Sequence, residues 1–156
     1  MILPVLLLAA GASSRMRGGD KLLEDVNGAP CLRVLANRAL ATGQPVLVTL
    51  PSLDHPRASC LSGLEVTQIA VHDAALGMSR SLQCGIAALP QTANGVMVLP
   101  ADMPDITETD MKEMQAAFVA TDALALRATT EAGAQGHPII FSRALFDEFQ
   151  HLSGDT

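Results

Sequence analysis

The sequence predicts an α/β fold built on a mainly parallel sheet with helices on both faces, and two observations carry this prediction. Short unbroken apolar runs, typical of strands buried on both faces, alternate with segments in which apolar residues recur at helical spacing. The chain has 156 residues, of which 49% are hydrophobic and 17% charged. Since one domain typically has about 100–200 residues, we expect a single domain over residues 1–156.

The first half of the chain is predicted to form three strands and one crossover helix. Ile2–Leu8 is an unbroken apolar run followed by small residues, which indicates a buried parallel strand. Between Pro30 and Leu40 apolar residues recur at helical spacing until Gly43 ends the pattern, which predicts a helix. Pro45–Leu50 is a second apolar run and Leu64–Val71 alternates weakly, so both are predicted strands.

The second half continues the alternation. A helical pattern opens at Gly77–Ser79 and stops at Pro90, and Thr107 is a good N-cap for a helix that runs to about Ala120. The remaining predicted elements are the strands Gly95–Leu99, Asp122–Arg127 and Pro138–Phe141 and a final helix capped by Ser142. A parallel sheet binds ligands at the carboxyl ends of its strands, near the switch in strand order. The loops after Leu8 and Leu99 are therefore the candidates for chemistry.

The first of these loops, which ends at Lys21, has the composition of a polyphosphate cradle. Ala9, Ala10 and Gly11 are small enough for a ligand to approach the main chain, whose N–H groups can point at phosphate oxygens. Arg15 and Lys21 supply positive charge. The alternative is a solvated Gly/Ser turn. The loop has no G-x-G-x-x-G pattern, and it lacks the Ser or Thr that follows the lysine of a P-loop.

Asp102 in the second loop is a candidate metal ligand. It lies just past a predicted buried strand, between Pro100 and Pro104, which stiffen its backbone. A carboxylate held there suits Mg²⁺, which takes few protein oxygens and keeps waters and substrate phosphates as its other ligands. The alternative is an aspartate that makes a local turn, helped by Asp105. A basic loop at the same sheet edge favours the metal site.

The charge distribution favours a small anionic ligand over a polymer. Lys and Arg number 10 and Asp and Glu 16, and the formal net charge of −6 argues against nonspecific binding to nucleic acid or to an anionic membrane. Five of the basic residues nevertheless lie between positions 15 and 38, where only three acidic residues stand. A small anion is therefore expected near this part of the chain.

Cysteine usage and the apolar start of the chain predict a cytoplasmic protein. Cys31, Cys60 and Cys84 are far apart and form no C-x-x-C pair, which indicates neither a disulfide framework nor a zinc site. No basic residues precede the apolar first ten residues, as they would in a signal peptide. No apolar run approaches the roughly 18 residues of a membrane helix.

Six sequence blocks resemble the molybdenum-cofactor nucleotidyltransferases, a family with MobA-like and MocA-like members. In chain order they are LAAGASSRM, DKLL, NGAP, GMSRSL, LPADMP and GHPIIFSRALF. The resemblance implies a three-layer α/β/α Rossmann-like nucleotidyltransferase fold with a mostly parallel mixed sheet. It also implies that the protein binds a nucleoside triphosphate and Mg²⁺.

The resemblance assigns roles to individual residues. The residues expected at the nucleotide are Ala9, Ala10, Gly11, Arg15, Lys21 and Ser79. Arg15, Lys21 and Asp102 are the expected catalytic residues, and Asp102 and Asp155 the expected metal ligands. For Ser79, which stands at a predicted helix start where anions are favoured, a plain helix cap is the alternative.

Details of the blocks favour CTP and mark departures from the family. LAAG followed by Ser resembles the cytidylyltransferase branch, whereas the guanylyltransferase branch usually has LAGG. Sugar-nucleotide pyrophosphorylases resemble LAAGxGxRM, with Gly in place of Ser13. Arg17 and Ala101 stand where the family usually has Gly. We also expect a domain that is short at its C-terminal end, since relatives continue beyond the position of Thr156.

The reaction implied by the resemblance is attack of an acceptor phosphate on the α-phosphorus of the nucleotide, with pyrophosphate leaving. Molybdopterin is the expected acceptor, and a molybdoenzyme or a chaperone the expected protein partner. Two alternatives remain: a sugar- or polyol-phosphate nucleotidyltransferase, and a noncatalytic nucleotide-binding accessory protein. No residue has the setting of a covalent nucleophile, and His137 is expected to be structural or to close the site.

Overall fold

The computed structural model describes residues 1–11, 15–16, 19–74, 77–129 and 135–151, with the backbone alone at 15, 16, 19 and 135. The strands are β1 (Val5–Leu8), β2 (Arg15–Met16), β3 (Gly19–Asp20), β4 (Asp25–Val26), β5 (Ala29–Pro30), β6 (Val46–Leu50), β7 (Thr67–Ala70), β8 (Gly95–Pro100), β9 (Ala125–Thr129) and β10 (Gln135–Ser142). The helices are α1 (Cys31–Leu40), α2 (Pro56–Ser59), α3 (Met78–Ala87), α4 (Glu108–Val119) and α5 (Phe146–Phe149). Short 3₁₀ turns cover Lys21–Leu23 and Arg143–Leu145.

Six strands form one mixed sheet in the order β7-β6-β1-β8-β10-β9. The neighbours β7, β6, β1 and β8 pair in parallel, whereas β10 is antiparallel to both β8 and β9. The chain proceeds outward from β1 to β6 and β7 and then returns to place β8 on the other side of β1. The strand order therefore switches between β1 and β8. The predicted mostly parallel mixed sheet is confirmed.

Alternate residues of the central strands pack into two separate cores, one on each face of the sheet. Val5 and Leu7 of β1 belong to the core that includes buried residues of α1 and α4. Leu6 belongs to the other core, with Ile86 of α3 and Phe149 of α5. Because both faces of β1 are buried, its sequence is continuously apolar rather than alternating. The predicted helix–sheet–helix layering is confirmed.

Capping side chains fix the helix starts that the sequence predicted. The Thr107 hydroxyl accepts a hydrogen bond from the Asp110 N–H at 3.0 Å, and the Asp110 carboxylate accepts one from the Thr107 N–H at 2.9 Å. This reciprocal pair is a capping box. Ser142 accepts from the Ala144 N–H at 3.3 Å, but the element that it caps begins as a 3₁₀ turn before it becomes α5.

The observed elements differ from the predicted ones in two respects. β9 covers Ala125–Thr129 rather than Asp122–Arg127, and β10 covers Gln135–Ser142 rather than Pro138–Phe141. The pairs β2–β3 and β4–β5 and the four-residue α2 are additional elements. Such short segments contain too few residues for a hydrophobic period, so the sequence carries no signal for them.

Candidate functional site

The two loops singled out from the sequence begin side by side at the carboxyl edge of the sheet. Leu8, the last residue of β1, is the register partner of Pro100, the last residue of β8. The Ala101 N–H donates to the Leu8 carbonyl at 3.0 Å, which binds the start of one loop to the end of the neighbouring strand. The strand order switches between these two strands, and open α/β sheets bind their ligands at such a point.

The small residues of the first loop are not equivalent in the structure. Ala9 is buried, and its N–H donates to the Thr49 carbonyl at 3.0 Å, so this amide is used inside the protein. Gly11 is exposed, and no described atom lies within 4 Å of the position that a Cβ would take there. Its φ also lies outside the left-handed region. Neither the backbone conformation nor any neighbouring described atom requires glycine at this position. Close approach of a ligand to the main chain would require it.

A buried arginine from α2 holds the first loop at both ends. Arg57 is 4% exposed, and its Nη1 donates to the carbonyls of Ala9 and Gly11 at 2.7 and 2.8 Å. Its Nε and Nη2 donate to the two carboxylate oxygens of Asp20 at 2.7 and 3.2 Å. This bidentate ion pair is the stronger form of an arginine–carboxylate contact. One side chain therefore joins the start of the loop to the residue before Lys21.

Lys21 is the first residue of a 3₁₀ turn that Asp20 caps. The Asp20 carboxylate accepts from the Leu22 N–H at 3.0 Å, so the same side chain binds Arg57 and fixes the turn. Lys21 is half-buried, and no acidic side chain of the described residues forms an ion pair with its ammonium. The turn therefore holds a cation at the end of the loop.

Cys31 at the start of α1 lies between the Lys21 turn and the second loop. Its N–H donates to the Glu24 carbonyl at 2.8 Å, and its thiol donates to the Ala101 carbonyl at 3.4 Å. Burial raises the pKa of this thiol and the charge of Asp102 raises it further, while the charge of Arg38 and, to a smaller extent, that of Lys21 oppose them. The two candidate charges thus act on the same buried group, and the thiol stays protonated at neutral pH.

The second loop is held by Arg38 of α1 and leaves Asp102 exposed. The Arg38 Nη1 donates to the carbonyls of Pro104 and Ile106 at 2.6 and 2.8 Å. Asp102 stands between these carbonyls and the end of β8, with its carboxylate open to solvent. The described part of the chain contains no cluster of three or more His, Cys, Asp or Glu side chains that could hold a metal. A lone exposed carboxylate fits Mg²⁺, which needs one or two carboxylates besides waters and phosphates.

Ser79 lies at the start of α3 with a hydroxyl that has no partner among the described residues. The residue is 1% exposed, and its Oγ makes no hydrogen bond there. The N-cap of the helix is Gly77, at φ 119°, and no side chain caps the helix. Ser79 therefore does not act as the helix cap. A buried hydroxyl without a partner costs free energy unless something bonds to it.

Comparison with known proteins decides the family. The family model described as the MobA-like NTP transferase domain matches residues 5–156. The chain belongs to the MobA-like NTP transferase family. It is 30% identical over 137 residues to the bifunctional protein GlmU of Mycobacterium sp. (strain KMS), a match that covers 81% of this chain and 27% of that protein. The chain therefore spans about a quarter of the length of this relative.

Solved structures show the same fold for this MobA-like NTP transferase. Rv0371c from Mycobacterium tuberculosis H37Rv superimposes with a TM-score of 0.86 at 24% identity, over 99% of this chain and 78% of that one. A complex of Rv0371c with manganese gives 0.83 at 22% identity, with the same coverage. CMP:2-keto-3-deoxy-manno-octonic acid synthetase in complex with CTP gives 0.73 at 15% identity, over 97% and 78% of the two chains.

Several expected site residues of the MobA-like NTP transferase lie outside the described residues or side chains. Arg15 lies in β2 opposite Asp20, but its side chain is not described. Asp155 falls outside the described residues, as does Arg17, which stands where the family usually has Gly. Sequence reasoning missed Arg57 and Arg38 altogether. Arg57 stands in a short segment without a motif, and no spacing in the sequence signals a contact with residues more than 35 positions away.

His137 lies at the same edge of the sheet as Asp102. Because β10 runs antiparallel to β8 with Ile139 opposite Val98, the first residues of β10 lie at the carboxyl end of β8. Burial lowers the pKa of His137, the Arg127 charge lowers it further, and the Asp102 charge opposes them. His137 also lines a cavity of about 430 Å³ between α4, β9 and β10.

Among the described residues, none of the helices combines the length and the apolar character that a membrane-spanning helix needs.

Proposed function

We propose that the chain is a Mg²⁺-dependent nucleotidyltransferase that moves a nucleoside monophosphate from CTP, in preference to GTP, to a phosphate acceptor and releases pyrophosphate. The proposed acceptor is molybdopterin or the molybdenum cofactor. The observation that carries the proposal is the placement of the Lys21 loop and Asp102 at one switch point of the sheet, bound together through Ala101 and Leu8. Membership of the MobA-like NTP transferase family supports it.

In the proposed reaction an oxygen of the acceptor phosphate forms a bond to the α-phosphorus, and the bond between that phosphorus and the α–β bridging oxygen breaks. The protein needs no covalent nucleophile, so catalysis depends on positioning and charge neutralisation. Lys21, together with Arg15, offsets the charge on the departing pyrophosphate. Gly11 leaves room for the phosphates beside the main chain, and the buried Ser79 hydroxyl gains the partner that it lacks within the described residues.

Asp102 is the proposed metal ligand, with Asp155 as the proposed second one. Mg²⁺ bound there would neutralise charge on the reacting phosphates. The exposed carboxylate at the end of β8 supports this assignment, because Mg²⁺ keeps several waters and substrate oxygens and so needs open space around its protein ligands.

The preference for CTP rests on two observations. The block LAAG followed by Ser resembles the cytidylyltransferase branch. The similarity in fold also extends to a synthetase that was solved with CTP. A sugar- or polyol-phosphate acceptor is the second candidate function, because the block LAAGASSRM also resembles the LAAGxGxRM block of the sugar-nucleotide pyrophosphorylases.

Release of pyrophosphate from CTP and from GTP, measured with a panel of acceptors, tests the proposal. Molybdopterin is expected to support release in the presence of Mg²⁺, with CTP as the better donor. Release with a sugar or polyol phosphate alone would establish the second candidate. Binding of nucleotide without release for any acceptor would instead indicate a noncatalytic accessory protein.

We also propose that residues 1–156 form one domain, since both cores pack on the same sheet. The three cysteines are free thiols, which supports a reducing compartment such as the cytoplasm.

A further inference from the structure

Arg57 contacts both ends of the first loop although it belongs to neither end. Its guanidinium donates to the carbonyls of Ala9 and Gly11, where the loop starts, and to the carboxylate of Asp20, where the loop ends. Lysine could not make this set of contacts, because an ammonium is a point charge without the planar fork of a guanidinium. The described contacts of Arg57 thus define the distance between the two ends of the loop.

The two carbonyl contacts also orient the main chain. In a planar trans peptide the carbonyl and the following N–H point in opposite directions. Because Arg57 draws the Ala9 carbonyl toward itself, the Ala10 N–H points away from Arg57. The same contacts turn carbonyl oxygens, which would repel a phosphate, toward a positive charge. The Ala9–Gly11 segment, held in this way, offers an anion the Ala10 N–H rather than the Ala9 and Gly11 carbonyl oxygens.

The contact with Asp20 extends this effect to Lys21. The Asp20 carboxylate also caps the 3₁₀ turn through the Leu22 N–H, so the position of Asp20 determines where the Lys21 turn begins. Removing one partner of a buried ion pair destabilises the fold, because the other charge is left buried without a partner. Compared with apolar residues at the same positions, however, such pairs often add little net stability. A buried pair that joins the two ends of a candidate binding loop is therefore better explained by the geometry that it imposes.

We propose that Arg57 is a positioning residue that fixes the two ends of the phosphate-binding loop, Ala9–Gly11 and Asp20–Lys21, before the nucleotide arrives. The inference rests on the proposed function, because it assigns the loop to the triphosphate. Arg57 acts through the Ala9–Gly11 backbone and through the Asp20 cap of the Lys21 turn. Its removal weakens binding of the phosphates, whichever base the nucleotide carries.

The test compares the intact chain with its Arg57→Lys variant by calorimetry, using CTP and inorganic tripolyphosphate as probes in the presence of Mg²⁺. Both ligands are expected to bind the variant at least about 10-fold more weakly, by the same factor. Hydrogen exchange of peptides covering residues 5–24 is expected to be faster in the ligand-free variant. Asp20→Asn, which keeps the side-chain shape but removes the charge, is expected to reproduce both effects.

Arg143→Lys is the matched control. Arg143 also donates to a backbone carbonyl, that of Ala93 at 2.9 Å, but at the opposite end of β8 from Asp102. The control is expected to bind both ligands as the unmodified chain does. A merely structural Arg57 would lower the unfolding midpoint and leave both dissociation constants unchanged, which would overturn the inference. An unmodified chain that binds neither probe would overturn the proposed function as well.

Discussion

At the scale of single residues, Lys21 is the cation that the described structure places at the end of the first loop. It starts a turn that Asp20 caps, and Asp20 is itself held by Arg57. Its charge and that of Asp102 act on the same buried thiol. This placement makes the Lys21 side chain the first target for substitution.

Replacing Lys21 by alanine is expected to lower the turnover of CTP about 10²- to 10³-fold, the usual cost of removing one electrostatic donor. The unfolding midpoint should change little, because the side chain is only half-buried and forms no described ion pair. Pyrophosphate release is the measurement. Lys112→Ala, on the exposed side of α4 where Lys112 pairs with Glu108, is the control and should keep full turnover. Unchanged turnover in Lys21→Ala would exclude Lys21 from the mechanism.

Asp102→Asn is expected to raise the Mg²⁺ concentration needed for half-maximal pyrophosphate release and to remove most of the turnover, since an amide is a much weaker ligand for a hard cation than a carboxylate. The measurement is the dependence of pyrophosphate release on Mg²⁺ concentration. Asp105→Asn changes a second exposed aspartate of the same loop and should leave the dependence unaltered. Equal Mg²⁺ dependence in the two variants would show that Asp102 is not the ligand.

His137 predicts a pH effect on stability. Its pKa lies below the ordinary value of 6.5 because burial and Arg127 disfavour the imidazolium, while Asp102 favours it. The unfolded chain therefore binds a proton that the folded chain does not, and stability is lost as the pH falls below about 6.5. Urea unfolding between pH 5 and 8 should show a flatter dependence in His137→Gln than in the unmodified chain. Identical profiles would mean that His137 carries no such linkage.

At the scale of elements, α3 packs closely against β1. A Cβ at Gly85 would lie 2.5 and 2.7 Å from the two methyl carbons of Leu6, so any larger residue there would force the buried Leu6 side chain to move.

Gly85→Ala is expected to destabilise the fold by about 1–3 kcal/mol, the usual cost of overpacking a core. Denaturant unfolding checks it. Leu6→Ala in the same chain should remove most of the added cost, because it clears the space that the new methyl group needs. A midpoint unchanged by Gly85→Ala would contradict the close packing of helix and strand.

The elements that could be predicted from the sequence are those with a long hydrophobic pattern. β1 and β8 are continuously apolar, and β6 is apolar except for Thr49, because both faces of these strands are buried. α1 and α3 carry apolar residues at helical spacing, and α4 has the Thr107 cap at its start. The direction of β10 could not be predicted, because an apolar run does not record whether its neighbour is parallel. The observed β9 begins and ends later in the chain than the predicted strand. It is an edge strand with alternate residues exposed, so burial constrains its sequence less.

At the scale of the whole molecule, only some of the basic residues between positions 15 and 38 are available to bind an anion. Arg33 donates to the carbonyls of Cys60 and Ser62, and Arg38 donates to those of Pro104 and Ile106. These two charges hold loops in place, so only part of the positive charge is available to an anion. A count of basic residues overstates the charge presented to a ligand.

The sequence could predict which loops form the site, but not the contacts that hold these loops in place. The loops after β1 and β8 follow from strand patterns and from the rule for switch points, and their side-by-side placement agrees with that expectation. The contacts of Arg57 could not be predicted, because they join residues that are distant in sequence and involve backbone carbonyls, which carry no sequence signal. Hydrogen bonds to the backbone become visible only in the folded chain.

The most direct test of the central claim is calorimetric titration of the unmodified chain with CTP and GTP, with and without Mg²⁺, repeated with Lys21→Ala and Asp102→Ala. The account predicts that CTP binds more tightly than GTP, that Mg²⁺ strengthens binding, and that Lys21→Ala weakens it. Asp102→Ala should remove the contribution of Mg²⁺. Absence of nucleotide binding to the unmodified chain, or binding that neither substitution changes, would contradict a triphosphate held between the two loops.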